Sequence, residues 1–136
     1  MPRPVYRFEA IDETLDLVPL AGRRALDRAG RKVGLEAWRR LSPTARAAIV
    51  EAGASAVVDA GRVRELLAGV EASPLEGRAE PSATVVPPAL SAAGVRLSTE
   101  RWAALRALDR WALESLAARE RTDALRSLLA ELEVVA

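Results

Sequence analysis

The chain of 136 residues contains no cysteine, no histidine and a single lysine. Without cysteine it can form neither disulfides nor thiolate-based zinc or iron–sulfur sites. Without histidine it lacks the commonest general base and the commonest metal ligand. Only carboxylate, lysine, tyrosine or hydroxyl chemistry is left, so we expect a protein that is not an enzyme and that holds no metal and no cofactor.

Long apolar runs are missing as well. No stretch approaches the roughly 20 apolar residues that a membrane span needs, and the opening "MPRPVYRFEA" lacks the apolar segment of a signal peptide. Half of the residues are nevertheless hydrophobic, which is enough to build a core. We therefore expect a cytoplasmic protein, without a membrane segment, in which residues 1–136 form one domain.

Charge of one sign is concentrated in one segment, although the net charge of the whole chain is only +1. Between Leu20 and Arg46, eight basic residues stand against two acidic ones, a local net charge of +6. The basic residues are Arg23, Arg24, Arg28, Arg31, Lys32, Arg39, Arg40 and Arg46. This segment is a candidate surface for an anionic partner.

Helix start and stop signals, and the lack of strand alternation, predict an all-α fold behind an extended arm, "PRPVYRFEAI". "DETLDLV" predicts one or two helical turns with Asp12 as N-cap. Ser42 and Pro43 predict the start of a helix that stops at Gly53, and a further helix follows over residues 54–72. The proline-rich segment 73–88 predicts a linker between a first half, residues 1–72, and a second half, residues 89–136.

The two halves share a sequence pattern, since "ALDRAGRKVGLEAWRRL" and "ALSAAGVRLSTERWAAL" match at an offset of 64 residues. The shared pattern encodes a helix, a glycine cap, a short turn and a second helix with Trp and Leu three residues apart. It predicts two pseudo-repeated helical hairpins, related by an approximate two-fold axis, that form one bundle. The predicted core comprises Leu26, Trp38, Leu41, Leu90, Trp102, Leu105 and Asp109.

The longest predicted helix runs from Ser98 or Thr99 to about Arg119, with Asp109 in the middle of its apolar stripe. A carboxylate in that place needs a partner, and we expect an arginine of the first half to meet it as a buried anchor. A functional acid is the alternative. Trp111 projects away from the stripe, so it either packs under the arm or marks a partner surface.

Two other functions are open to these residues. "LSAAGVRLSTERWAALRAL" is similar to a helix-turn-helix phrase, and Thr99, Arg106 and Arg110 would lie on one side of its second helix. This nucleic-acid-binding alternative is opposed by the low net charge and by a turn that is about two residues too long. An enzyme built on the carboxylates of Glu36, Glu100 and Asp109 is supported by nothing beyond the presence of the acids.

The runs "YRFEAIDETLDLVPLAGRRALDRAGRKVGLEAW" and "GVRLSTERWAALRALDRWALESL" resemble the small bacterial family of nitrate reductase associated proteins. The family's spaced anchors correspond here to Tyr6, Phe8, Glu9, Ile11, Leu15, Pro19, Arg23, Leu26, Asp27, Gly30, Lys32 and Trp38, and later to Gly94, Leu97, Trp102, Leu105, Leu108, Arg110, Ala112 and Leu113. Asp109 stands where the family has an amide.

The resemblance implies a role in nitrate assimilation, and it implies no particular activity or cofactor. We therefore expect a helical accessory protein that interacts with a protein partner, possible partners including a nitrate-assimilation enzyme. The candidate binding residues are Glu9, Arg23, Asp27, Lys32 and Trp111. The alternative for the first four is a salt-bridge network that holds the arm against the first hairpin.

Overall fold

The computed structural model describes residues 4–132 of the chain. The chain divides into two compact units, residues 1–78 and 79–136. The boundary between these units falls inside the segment that the sequence predicts as a linker, residues 73–88. The single-domain organisation stays a prediction.

Eight α-helices make up most of the described residues, which confirms the mainly α fold class. The first unit contains α1 (Leu20–Ala29), α2 (Leu35–Arg40), α3 (Pro43–Ala54) and α4 (Ala60–Leu66). The second unit contains α5 (Pro88–Ala92), α6 (Thr99–Ala104), α7 (Ala107–Ala118) and α8 (Thr122–Glu131).

A two-stranded ribbon, which the sequence did not predict, accompanies the helices of the first unit. Strand β1 (Arg31–Lys32) pairs antiparallel with β2 (Ser73–Pro74), and Arg31 lies opposite Pro74. Gly30 ends α1 with a φ of +70°, the left-handed conformation that a glycine cap adopts, and its carbonyl accepts the N–H of Leu75 at 3.0 Å. The start of the predicted linker is therefore hydrogen-bonded to the end of α1.

Gly53 is a packing residue of α3 and not the helix stop that the sequence predicted. Helix α3 includes Gly53 and ends at Ala54. A Cβ atom on Gly53 would lie only 1.7 Å from the carbonyl oxygen of Ala21 in α1. The glycine is there because α1 and α3 approach each other closely, and no side chain fits between them.

The helix predicted over residues 54–72 is also wrong in its extent. The chain leaves the helical conformation after Ala54, and α4 begins only at Ala60. Asp59 is the N-cap of α4, and its side chain accepts the N–H of Arg62 at 3.0 Å. A capping aspartate of this kind favours a new helix start over continuation of the previous helix.

The single long helix predicted from residue 98 or 99 to about Arg119 is two helices, α6 and α7. Leu105 and Arg106 both have extended backbone, with ψ near 156° and 157°. The carboxylate of Asp109 accepts the N–H of Arg106 at 3.1 Å, so it satisfies a backbone donor at the start of α7. Trp102 and Asp109 therefore do not share the face of one helix.

The second and third helices of the two units correspond in length and spacing, whereas the first and fourth do not. Helices α2 and α6 each have six residues, α3 and α7 each have twelve, and both pairs start 64 residues apart. Gly30 and Gly94 both have positive φ. The repeat read from the sequence and the two-fold pairing of the hairpins stay interpretations.

Most of the residues assigned to the core from the sequence are buried. Trp38 and Trp102 are completely buried, and Leu26, Leu41, Leu90 and Asp109 are buried too. Leu105 is only half-buried, because it lies at the break between α6 and α7.

The N-terminal arm is extended only in part, and its residues 2–3 lie outside the described part of the chain. Arg7–Glu9 form a single 3-10 turn, and the helical turns predicted for "DETLDLV" are absent from the described segment 12–18. Asp12 instead accepts hydrogen bonds from the hydroxyl and the N–H of Thr14. These bonds favour the carboxylate, the one to the hydroxyl most, and lower the pKa of Asp12, so this exposed turn keeps its charge to a lower pH than an ordinary aspartate.

Because Trp38 and Trp102 are completely buried, we expect Trp38→Ala and Trp102→Ala each to lower the free energy of unfolding by about 3–5 kcal/mol. Urea denaturation followed by circular dichroism measures this loss. The control is Val85→Ala, at a side chain that is 61% exposed, which should change stability by less than about 0.5 kcal/mol. A loss of under about 1 kcal/mol for either tryptophan variant would contradict its core role.

Candidate functional site

Glu9, the first candidate binding residue, connects the N-terminal arm to the start of α1. Its carboxylate accepts the N–H of Leu20 at 2.7 Å and the N–H of Tyr6 at 3.0 Å. Helix α1 begins after Pro19, whose side chain has no acceptor to offer as a cap. A carboxylate from elsewhere in the chain therefore satisfies the first N–H of the helix and interacts favourably with the helix dipole.

Asp27 holds the end of the first unit against α1. One of its carboxylate oxygens accepts the N–H of Arg78 at 3.0 Å, while Arg28 donates to the carbonyl of Arg78 at 2.7 Å. Gly77 lies so close that a Cβ atom there would be 2.3 Å from the carbonyl oxygen of Asp27. Both polar groups of the Arg78 backbone are thus bound by neighbouring residues of α1.

The remaining candidates belong to other elements of the chain. Arg23 is exposed in α1, and Lys32 is exposed in β1 beyond the opposite end of that helix. Trp111 belongs to the second unit, where it is 4% exposed, and its Nε1–H has no hydrogen-bond partner among the described residues. The side chain of Trp111 is therefore interior rather than presented on the surface.

Two of the eight basic residues between Leu20 and Arg46 are buried. Arg24 is 0% exposed, and its guanidinium group donates to the carbonyls of Gly53, Ser55 and Ala56, the first at 2.9 Å. Arg46 is 7% exposed and lies 3.4 Å from the Leu15 carbonyl and 3.5 Å from the carboxylate of Asp16. These two charges are parts of the interior and contribute little to a surface for polyanions.

Other arginines of the same segment also donate to backbone carbonyls. Arg28 binds the carbonyl of Arg78, Arg31 that of Gly30, and Arg39 that of Asp16. A guanidinium group suits this task because it carries several donors in a fixed plane. Much of the local charge of +6 therefore belongs to arginines that bind backbone carbonyls of the first unit. Counting charges along the sequence could not reveal these contacts.

The two repeated tryptophans bind the segments that precede α1 and α5, the first helices of the two hairpins. The indole N–H of Trp38 donates to the carbonyl of Leu15 at 2.7 Å, and that of Trp102 donates to the carbonyl of Ser82 at 2.6 Å. Leu15 has a φ of +55°, an uncommon conformation for a leucine, and is buried at 7% exposure. The hydrogen bond from Trp38 helps to hold Leu15 in this conformation.

Asp109 has its ion-pair partner within the second unit. Arg106, three residues earlier, approaches one carboxylate oxygen of Asp109 at 2.8 Å, and Asp109 is 4% exposed. The sequence predicted an arginine of the first half in this place, but the pair with Arg106 supplies a charge partner from the same helix cap. The burial and the capping hydrogen bonds give Asp109 a structural task.

The three residues of the nucleic-acid alternative lie on different parts of the second unit. Thr99 begins α6, Arg106 is the N-cap of α7, and Arg110 lies in the first turns of α7. Arg106 binds Asp109, and Arg110 donates to the carbonyls of Ala103 and Leu105. The break after α6 therefore removes the single helical face that the sequence had predicted for them.

Comparison with protein families gives a decisive match. The model of the conserved nitrate reductase-associated proteins matches residues 5–132, which is nearly the whole chain. The chain belongs to this family. No curated protein and no solved structure matches it.

Membership of the nitrate reductase-associated family confirms the resemblance carried by the spaced anchors of the sequence. Several of those anchors now have a place in the structure. Glu9 and Asp27 bind backbone N–H groups, Trp38 binds a backbone carbonyl, and Gly30 has positive φ. At these positions the family pattern coincides with residues that fasten loops to helices.

Residues 4–132 contain no group of three or more histidine, cysteine, aspartate or glutamate side chains placed to hold a metal ion. Within the same residues, no helix has the length and apolarity that crossing a membrane requires.

Glu9→Ala should lower the free energy of unfolding by about 1–2 kcal/mol, because the first N–H of α1 and the N–H of Tyr6 would lose their acceptor. Glu9→Gln, which retains an acceptor oxygen, should lose less. Chemical denaturation measures both, with Glu13→Ala at an exposed residue as the control. Equal stability of Glu9→Ala and the wild type would refute the capping role.

Arg24→Met should lower the free energy of unfolding by about 3 kcal/mol, because the carbonyls of Gly53, Ser55 and Ala56 would lose a buried charged donor. The matched control is Arg40→Met, at an exposed arginine of α2 that should tolerate the change to within about 0.5 kcal/mol. The Tm and the free energy of unfolding in urea should both be clearly lower for Arg24→Met than for Arg40→Met. Similar losses for both variants would contradict the distinction between interior and surface arginines.

Proposed function

We propose that this chain is a non-enzymatic accessory protein that binds a nitrate-assimilation enzyme directly, in the cytoplasm. The observation that carries the proposal is the family match over residues 5–132, because the family is described by its association with nitrate reductase. The partner that best fits this description is nitrate reductase itself.

The tasks of the polar side chains support a binding role over a catalytic one. The carboxylates of Glu9, Asp27 and Asp109 each accept a backbone N–H, and each stabilises a helix start or a loop. A general acid or base must instead be available to a substrate proton. Because these three acids stabilise the fold, their positions favour a protein that binds a partner through its surface over an enzyme.

The nucleic-acid alternative receives less support from the described residues. Helices α5 and α6 have only five and six residues, and Arg106 and Arg110 are engaged by groups of the second unit. A recognition helix needs a continuous face with side chains that can reach base edges. The observed arrangement does not favour such a face.

Binding of the purified full chain to purified nitrate reductase from the same organism tests the proposal. We expect saturable binding with a Kd in the micromolar range or tighter, measured by biolayer interferometry or calorimetry. The wild-type chain after nuclease treatment should bind equally well. A heat-denatured sample of the chain serves as the negative control.

Two results would contradict this function. One is no binding to the enzyme at about 100 µM of the chain, which would exclude an affinity useful in the cell. The other is tight, strongly salt-dependent binding to DNA in an anisotropy assay without binding to the enzyme, which would favour the nucleic-acid alternative.

A further inference from the structure

The connection between α3 and α4, residues 55–58 with the sequence Ser-Ala-Val-Val, has an unusual surface for a loop. It contains no glycine, proline or asparagine, the residues that usually shape turns. Val57 is 84% exposed, the largest exposed fraction among the large apolar side chains of the described residues. Isolated exposed valines are common on protein surfaces, so exposure alone does not indicate a binding site.

The same loop is held in place from the interior. Arg24, which is completely buried, donates to the carbonyls of Ser55 and Ala56 and to that of Gly53 just before them. The hydroxyl of Ser55 in addition donates to the carbonyl of Glu51 at 3.2 Å. The backbone of the loop is thus bound to the unit while Ala56 and Val57 remain exposed.

An apolar tip on a backbone that is already ordered is well suited to binding a protein. Ordering a loop on binding costs free energy, and a loop that is fixed beforehand avoids this cost. An apolar side chain that enters an apolar pocket of the partner would then gain free energy from its burial. Val57 has the position and the chemistry of such a side chain.

The charges next to the loop indicate what kind of surface it meets. Glu51, one turn before the loop, and Asp59, directly after it, are both exposed acids. The nearby Arg62 is itself paired with Glu65 at 3.5 Å. A partner surface that complements this region has an apolar pocket with basic residues at its rim.

We infer that residues 55–58 form the docking loop of this protein, with Val57 as the anchor, for a basic-rimmed apolar pocket on the partner enzyme. The inference rests on the proposed function, which names the nitrate reductase of the same organism as the partner. A second copy of this chain is the competing occupant.

The test compares purified wild-type chain, Val57→Asp, Val57→Ile and Val85→Asp in binding to purified nitrate reductase. Val85 is 61% exposed in the other unit and therefore provides a matched change at a second exposed valine. We expect Val57→Asp to raise the Kd at least about tenfold, whereas Val57→Ile and Val85→Asp should stay within about twofold of the wild type. Circular dichroism melts should be unchanged in all three variants, because both valines are at the surface.

The basic rim is tested by the double variant Glu51→Gln and Asp59→Asn, in which the asparagine can still cap α4. We expect association to slow several-fold and its salt dependence to weaken. An unchanged association rate and salt dependence would overturn the charge complementarity.

The outcomes separate the two proposals. Wild-type binding that Val57→Asp leaves intact overturns the docking loop and retains the proposed function, whereas no wild-type binding overturns both. Sedimentation velocity of the isolated chain tests the competing occupant. A wild-type dimer that Val57→Asp converts to a monomer, with unchanged binding to the enzyme, would assign the loop to self-association and overturn the inference.

Discussion

The buried guanidinium group of Arg24 connects α1 to the end of α3 and to the loop that follows it. It carries a positive charge in a completely buried position and donates hydrogen bonds to the carbonyl of Gly53 in the last turn of α3 and to the carbonyls of Ser55 and Ala56 just after the helix. The last carbonyls of a helix have no partner within the helix and carry a partial negative charge. One side chain of α1 therefore stabilises the end of α3 and also determines the course of the loop that follows.

Elsewhere in the chain, polar side chains likewise form hydrogen bonds with backbone groups that have no partner within the short helices. Glu9 serves the start of α1, Asp109 the start of α7, and Arg110 the end of α6. Short helices make this necessary, since a helix of six residues leaves most of its N–H and C=O groups without an internal partner. The many charged residues of the sequence are in good part a consequence of this architecture.

This use of charge bears on function. Residues that look like a binding set in the sequence, above all Glu9 and Asp27, are occupied with backbone groups in the structure. The described residues instead offer a partner surfaces whose backbone is held in place by such hydrogen bonds. The family is named for its association with nitrate reductase. A protein whose polar side chains stabilise its fold, and which acts through its surface, is consistent with that name. Association with that enzyme remains our proposal.

The sequence by itself determined the helical class, the starts of α3 and α6 at the serine caps, the glycine end of α1 and the family, because these depend on local backbone chemistry and on spaced anchors. Only the tertiary structure decided that Gly53 serves close packing, that Leu105 and Arg106 separate two helices, and that Arg31–Lys32 pair with Ser73–Pro74. It also decided which arginines are buried. Each of these features depends either on a contact between segments that are distant in the chain or on which of several partners a backbone group binds. Local helix and strand propensities contain neither kind of information.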